Sequence, residues 1–543
     1  MALSLALLLV TIKCLGISCA PAIYTRSWPH DFDHIEENQA NNQWFKDGVD
    51  LTRINLNLQT NDNHAKNVIL FLGDGMGIST TTAARIFEGQ SRNEGGEENV
   101  LSWEKFPYTA LSKTYNVDAQ VPDSAGTATA FATGVKTDKG ILGLNENAEF
   151  ENCESAKGNE VLSILTYAER IGMSTGIVTD TRVTHATPAA FYSHTPSRNW
   201  ENDQAAKGDC KDISLQLINY PYGNGLKVIL GGGLQSFLKC GSTTPDGNVI
   251  NNTKCRMDGQ DLTQVWRRDK FERSSYVWNR TQLNDIDPES VDHLLGLFNE
   301  DGMTFVIERE EKNRTFEPTL EEMVEKALQI LKKNEKGFFL LVEGTLLLQN
   351  STDEPYNRSK FVDMLDLTVE FANAVKKAKQ LTNDEDTLMI VTADHSHSFV
   401  LYGSPVRNNP ILGFQKTIPP DGKPALSLAY SDGPGGLKPN TERANLTGVN
   451  YNATDFNQQA LIWTYSESHG GEDVGIYAIG PQAHLFHGVV EQNYIFHVMD
   501  YALCLTPSKW NLSCERAPDE RRSGRRRGGR THGGRKRLGG KYY

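Results

Sequence analysis

The sequence predicts an α/β fold: a three-layer sandwich in which a central, mostly parallel sheet is flanked by helices, with a small subdomain inserted. Three observations carry that reading. Apolar, β-rich runs of strand length recur without polar alternation, the pattern of strands covered on both faces. Helix-period segments lie between them, so consecutive strands are joined by crossovers. Acidic residues follow one or two places after three of the runs, where open α/β sheets collect their chemistry.

The elements follow in chain order. Met1–Ala20 reads as a secretory signal, with an apolar run at Leu5–Val10 and a small-residue cleavage site at Ser18-Cys-Ala20. Residues 21–60 hold a helical arm, centred on Asp31–Leu58. The strand runs are Asn67–Leu72, Ser174–Thr179, Lys227–Leu230, Gly337–Val342, Thr387–Thr392 and Val474–Ile479. Leu320–Lys333 is helical, because Met323, Val324, Ala327, Leu328 and Leu331 share one face. Residues 396–467 are rich in Gly, Pro, Asn and Ser and are read as the insertion, and 61–515 as the main body. Residues 516–543, rich in Arg and Gly, are expected to be disordered.

Composition narrows the class. At 543 residues, 38% hydrophobic and 23% charged, the chain is an ordinary globular protein. Its net charge of −13 hides an asymmetry, since Glu515–Tyr543 carries eleven Lys or Arg against three acids. No nucleic-acid partner is expected; the basic tail is the one segment suited to polyanions, and a solvated tail is the plainer reading. Beyond the signal no run approaches the ~20 apolar residues of a membrane span. The tail has no apolar end, so a lipid-anchor signal is absent and release from the membrane is expected. Six cysteines lie outside the signal, at 153, 210, 240, 255, 504 and 514. They suggest disulfides, sequential pairing being the simplest of fifteen connectivities. Eight Asn-x-Ser/Thr sequons, at Asn251, Asn279, Asn313, Asn350, Asn357, Asn445, Asn452 and Asn511, also point to a secretory route.

Three stretches carry reactive groups. Asp74 sits in Gly73-Asp-Gly75, Ser124 in Pro122-Asp-Ser-Ala-Gly-Thr-Ala-Thr-Ala130, and Asp394 and His395 in Asp394-His-Ser-His397. Ser124 precedes a helix-forming run, so its hydroxyl stands at unpaired N–H groups and the positive end of a helix dipole, a setting that stabilises an attached anion. A serine is a weak nucleophile unless a base or metal activates it. Each feature alone has a plain structural reading, as a helix cap or a strand-end turn.

Together with Ser468-His-Gly-Gly-Glu-Asp-Val474, these stretches resemble the alkaline phosphatases of the animal secreted or membrane-anchored branch, from roughly Trp44 to Cys514. The resemblance implies hydrolysis of phosphate monoesters through a phosphoserine, with Zn2+ and Mg2+ as cofactors, in a secreted homodimer. It implies that Ser124 is the nucleophile and Arg198 the phosphate clamp. Asp74, Asp394 and His395 would hold one zinc. Asp74, Thr187 and Glu343 would hold magnesium, with His185 beside it. His469 would serve a second zinc. The family also places a calcium site, in some members, in the region of Phe298–Glu317.

The chain departs from the family pattern after Glu343. Members continue there into Gly-Gly-Arg-Ile-Asp-His-Gly-His-His, whose Asp and last His bind the second zinc. This chain reads Gly344-Thr-Leu-Leu-Leu-Gln-Asn-Ser-Thr-Asp-Glu-Pro-Tyr-Asn357, about five residues longer. Alignment back from Glu370 puts Asp353 under the Asp and Asn357, a weak zinc ligand and a sequon, under the His. Either the second zinc site is degraded and turnover impaired, or 345–360 is an alternative exon or a sequence error. Two further readings stay open: a catalytically silent secreted homologue that binds a partner, and a phosphodiester or sulfate hydrolase on the same fold.

Overall fold

A computed structural model describes residues 32–250, 253–270, 272–305, 308–309, 312–345, 361–451, 453 and 456–506. The signal at 1–20, the tail at 516–543, Asp353 and Asn357 lie outside the described residues. Residues 1–59 form one unit and 60–543 another. In the first, helices span Phe32–Asn41 and Gln43–Leu56, and the Asn42 side chain caps the second by accepting from the Trp44 N–H at 2.9 Å.

The strands of the second unit are β1 (Asn67–Asp74), β2 (Tyr108–Lys113), β3 (Ser174–Arg182), β4 (Val228–Gly232) and β5 (Ser274–Val277). They continue with β6 (His293–Leu297), β7 (Phe338–Thr345), β8 (Thr387–Ala393), β9 (Ser396–His397) and β10 (Phe399–Leu401). The last are β11 (Leu428–Gly433), β12 (Ala460–Trp463), β13 (His469–Gly470), β14 (Val474–Ile479) and β15 (Val489–Glu491). Ten of them form the central sheet, in the order β15-β2-β14-β8-β1-β7-β3-β4-β6-β5. From β8 to β5 every pairing is parallel; β14 alone runs antiparallel to both neighbours.

Why the strand runs lack alternation is visible in the packing. Val68, Leu70 and Leu72 of β1 face a core shared with Ala128, Ile164 and Ile495 of the helices Ser124–Thr133, Ile164–Arg170 and Tyr494–Leu503. Ile69 and Phe71 face the opposite core, shared with Ala83, Val324 and Phe371 of Ile78–Ser91, Leu320–Leu331 and Phe361–Leu381. Successive side chains point to opposite faces, and both faces are buried.

All six sequence runs are strands of this sheet. The helix expected at 320–333 spans Leu320–Leu331, opened by a capping box in which Thr319 and Glu322 satisfy each other's N–H groups. Residues 396–467 contain a three-stranded sheet, β10-β11-β12. Disulfides join Cys153 to Cys210 and Cys240 to Cys255, as sequential pairing expects. Cys504 is also disulfide-bonded; Cys514 lies outside the described residues. No helix among the described residues is long and apolar enough to cross a membrane.

Register positions the chemistry. Leu72 stands level with Glu343 on one side and Thr392 on the other, and Thr179 is also level with Glu343. The carboxyl ends of β1, β3, β7 and β8 therefore open on one place.

Candidate active site

Most of the side chains are delivered by a strand end or a helix start, and Arg198 by a turn. Asp74 ends β1, in a turn that needs a left-handed residue, and Gly75 supplies it at φ +77°. A side chain at Gly77 would place its Cβ 2.6 Å from Ser396 Cβ, so this glycine lets the first turn press against the loop carrying Asp394 and His395. That loop is tied down in return: Asp394 Oδ1 accepts from the Gly75 N–H at 3.0 Å and the His395 N–H at 2.8 Å. The Gln492 side-chain amide donates to the Asp394 carbonyl at 2.7 Å.

Ser124 opens its helix, fully buried. Its Oγ lies 3.1 Å from His395 Nε2. The other ring nitrogen, Nδ1, donates to the Ser396 carbonyl at 3.0 Å, which fixes the tautomer and leaves the Nε2 lone pair facing Ser124. The same Nε2 is 3.1 Å from Asp394 Oδ2 and 3.8 Å from Asp74 Oδ1. Asp74, Asp394 and His395 present ligand atoms within 4.8 Å of one another.

A second set shares Asp74. Its ligand atoms with those of His185 and Glu343 also fall within 4.8 Å. Glu343 Oε2 accepts from the Thr179 hydroxyl at 2.6 Å, while Oε1 is buried without a hydrogen-bond partner. Thr187, two residues past His185 in the short helix Ala186–Ala189, likewise buries an unpartnered hydroxyl. Asp74 Oδ2 is a third such oxygen. Buried oxygens gathered without protein donors fit a hard cation.

Arg198 reaches in from the side. Its Nη1 donates to Asp123 Oδ2 at 3.0 Å and its Nη2 to His185 Nε2 at 3.0 Å. Asp123 caps the Ser124 helix by accepting from Gly126 N–H at 3.2 Å, and also accepts from Gly140 N–H at 3.0 Å. His469 completes the group: its ring stacks on His395 with centroids 3.7 Å apart, and its Nδ1 donates to the Pro122 carbonyl at 2.7 Å.

The electrostatics follow from burial and crowding. Burial, then Asp394 and Glu343, push Asp74 well above the usual carboxylate range. Burial raises Asp394 to about 6, against the pull of the Gly75 and His395 amides. Burial drives His395 well below its ordinary value, with His469 and His397 adding to the effect, and takes His469 to about 3. Burial thus favours the neutral, ligating form of these imidazoles, and a bound cation would relieve the crowding of the carboxylates. Burial would lift Asp123 too, but Arg198 and two backbone amides hold it below its ordinary value.

The structure thus gathers Ser124, Asp74, Asp394, His395, His469, Glu343, His185 and Arg198 in one site, with Thr187 beside His185. Asp353 lies outside the described residues. Three participants had no role in the sequence reading: Asp123, His397 and Glu467. Asp123 directly precedes Ser124 and His397 closes the Asp394-His-Ser-His motif, so position pointed to both. Glu467 carries no local signal. In the Phe298–Glu317 region, Glu317 accepts from Thr304 N–H at 2.7 Å and Asn299 Nδ2 at 2.8 Å. No metal-grade cluster forms there among the described residues.

Known proteins resemble this chain over most of its length. Residues 65–505 match the family model described as Alkaline phosphatase. The chain is 45% identical over 482 residues to the Felis catus "Alkaline phosphatase, tissue-nonspecific isozyme", covering 87% of this chain and 90% of that protein. Thermus thermophilus alkaline phosphatase has the same fold, at TM-score 0.58 and 22% identity over 83% of this chain and 93% of that one. A variant of alkaline phosphatase from the Antarctic bacterium TAB5, solved with Mg bound, matches at TM-score 0.55 and 22% identity, over 81% of this chain and 99% of that one.

Proposed function

This chain belongs to the alkaline phosphatase family and is a phosphate monoester hydrolase, and on that premise we propose that Ser124 is its nucleophile. Ser124 Oγ attacks phosphorus in line, the alcohol departs, and the phosphoryl group rests on the serine until water displaces it. The observation that carries the reading is the Ser124 hydroxyl 3.1 Å from His395 Nε2, a ligand atom gathered with those of Asp74 and Asp394.

Each residue has a part. Asp74, Asp394 and His395 would hold zinc; Asp74, Thr187 and Glu343 would hold magnesium, with His185 adjoining. When bound, such cations stabilise developing oxyanions and make serine and water better nucleophiles near neutral pH. Arg198 pairs its planar guanidinium with the non-bridging phosphoryl oxygens. Asp123 is the positioning residue, since it fixes both the arginine and the start of the helix whose N-terminus receives the phosphoryl group.

Departure of the phosphate is the step this chain performs least well. The second zinc of the family draws on positions occupied here by Asp353 and Asn357, and an amide is a poor substitute for an imidazole. The enzyme therefore forms phosphoserine readily and hydrolyses it slowly. The signal-like start, eight sequons and disulfides support an extracellular site of action. A homodimer is the assembly the family leads us to propose.

The test is p-nitrophenyl phosphate turnover with added zinc and magnesium, against Ser124→Ala. A large loss in the variant is expected. Equal rates would contradict the reading and favour a silent homologue.

A further inference from the structure

The imidazoles of His395, His397 and His469 form a cluster of which the proposed zinc and magnesium sets use only His395. Their ligand atoms lie within 4.8 Å of one another. His395 is already committed, because its Nε2 faces Ser124 and Asp394. His397 and His469 are not.

We propose that His397 and His469 hold a second, zinc-class cation through their Nε2 atoms, with His397 replacing the imidazole that Asn357 no longer supplies. The inference rests on the phosphatase reading above and adds a ligand to it.

Four observations converge. His397 is 4% exposed, and neither of its ring nitrogens has a hydrogen-bond partner. A buried ring nitrogen left alone costs free energy unless something meets it. Second, His397 Nδ1 lies 2.6 Å from Glu467 Oε1. A carboxylate beside one ring nitrogen is the kind of contact that orients metal-binding histidines. Third, His469 Nδ1 donates to the Pro122 carbonyl at 2.7 Å, so its Nε2 lone pair is also outward. Fourth, β9 and β13 pair antiparallel with His397 directly opposite His469, and the two rings lie 4.9 Å apart. A strand pair holds the imidazoles in register without reliance on 346–360.

Neutral imidazole is a borderline-soft donor that suits zinc over magnesium or calcium. The plainer alternative is aromatic packing of three rings. Packing accounts for the stack of His395 on His469; it does not account for a carboxylate 2.6 Å from His397 Nδ1 or for the unmet Nε2. With only two imidazoles from these strands, the ion is held less firmly than in the Asp74–Asp394–His395 set.

The test is zinc content of the full-length protein, reloaded with zinc and desalted, measured by elemental mass spectrometry. Expected are two zinc ions in the wild type, one in His397→Ala and one in Asp394→Ala. Zinc X-ray absorption on the wild type needs no variant and covers the case in which His397→Ala fails to fold. Three imidazoles shared over two zinc ions are expected. Two outcomes overturn the inference and spare the phosphatase reading: His397→Ala that binds as much zinc as wild type, or a single wild-type zinc with one imidazole that Asp394→Ala removes. Zinc content indifferent to Asp394→Ala would instead overturn the reading on which the inference rests.

Discussion

Asp123 Oδ2 accepts a hydrogen bond from Arg198 Nη1 at 3.0 Å, and the residue that follows Asp123 is the proposed nucleophile. One carboxylate thus fixes the distance between the phosphate clamp and the serine. The coupling is possible because Asp123 is a helix cap: the same side chain takes the Gly126 and Gly140 amides, which neither move nor titrate.

Asp123→Ala should therefore damage both stability and catalysis. It strips a cap, removes the carboxylate partner of the partly buried Arg198 and leaves two amides unmet, at a cost of about 2–4 kcal/mol. Asp123→Asn keeps an acceptor for one of the two amides and loses the charge, so it should raise KM for the phosphate ester while costing less stability than Asp123→Ala. Chemical denaturation and steady-state kinetics on both variants separate the two roles.

Metal removal should have a pH signature. The folded protein raises Asp394 to about 6 and Asp74 well above the ordinary carboxylate range, so without cations it favours their protonated forms. That contribution is fully present below the unfolded carboxylate pKa and is lost as pH rises through about 6. Chelation should lower the melting temperature much more at pH 9 than at pH 5, and zinc plus magnesium should restore it.

Glu169 offers a pH effect outside the site. Burial raises its pKa to about 7, although the Thr175 hydroxyl donates to it at 2.5 Å. The folded pKa exceeds the unfolded one, so its contribution is most favourable below about 4.5 and is lost as pH rises through about 7. Glu169→Gln should stabilise the protein at pH 9 by about 1–3 kcal/mol and change little at pH 4.5. Melting curves at the two pH values check this.

Reduction should weaken the fold around β4. The Cys240–Cys255 bridge closes a loop with a sequence separation of 15. Loop-closure entropy puts its loss at about 3 kcal/mol. A Cys240→Ser/Cys255→Ser variant should show that decrease in unfolding free energy with near-normal kcat, because the loop contributes no residue to the site.

Much of this was legible in the sequence, for physical reasons. β1, β3, β4, β7, β8 and β14 announce themselves because strands buried on both faces are continuously apolar. β2 was silent because Tyr108–Lys113 buries only alternate residues, and β5 and β15 because they are four- and three-residue edge pieces. β6 was silent because the five residues His293–Leu297 hold a Gly within a short run. At the site, residues in contiguous motifs were readable. The role of His397 was not, since it depends on Glu467, seventy residues later, and on the β9–β13 pairing that sets it opposite His469.

The most direct test is to trap the covalent intermediate. The protein is mixed with p-nitrophenyl phosphate, quenched in acid within one turnover, digested and mapped by mass spectrometry. The account predicts phosphate on the peptide containing Ser124, lost in Ser124→Ala. Continued hydrolysis with no label on Ser124, or label on another residue, would contradict it.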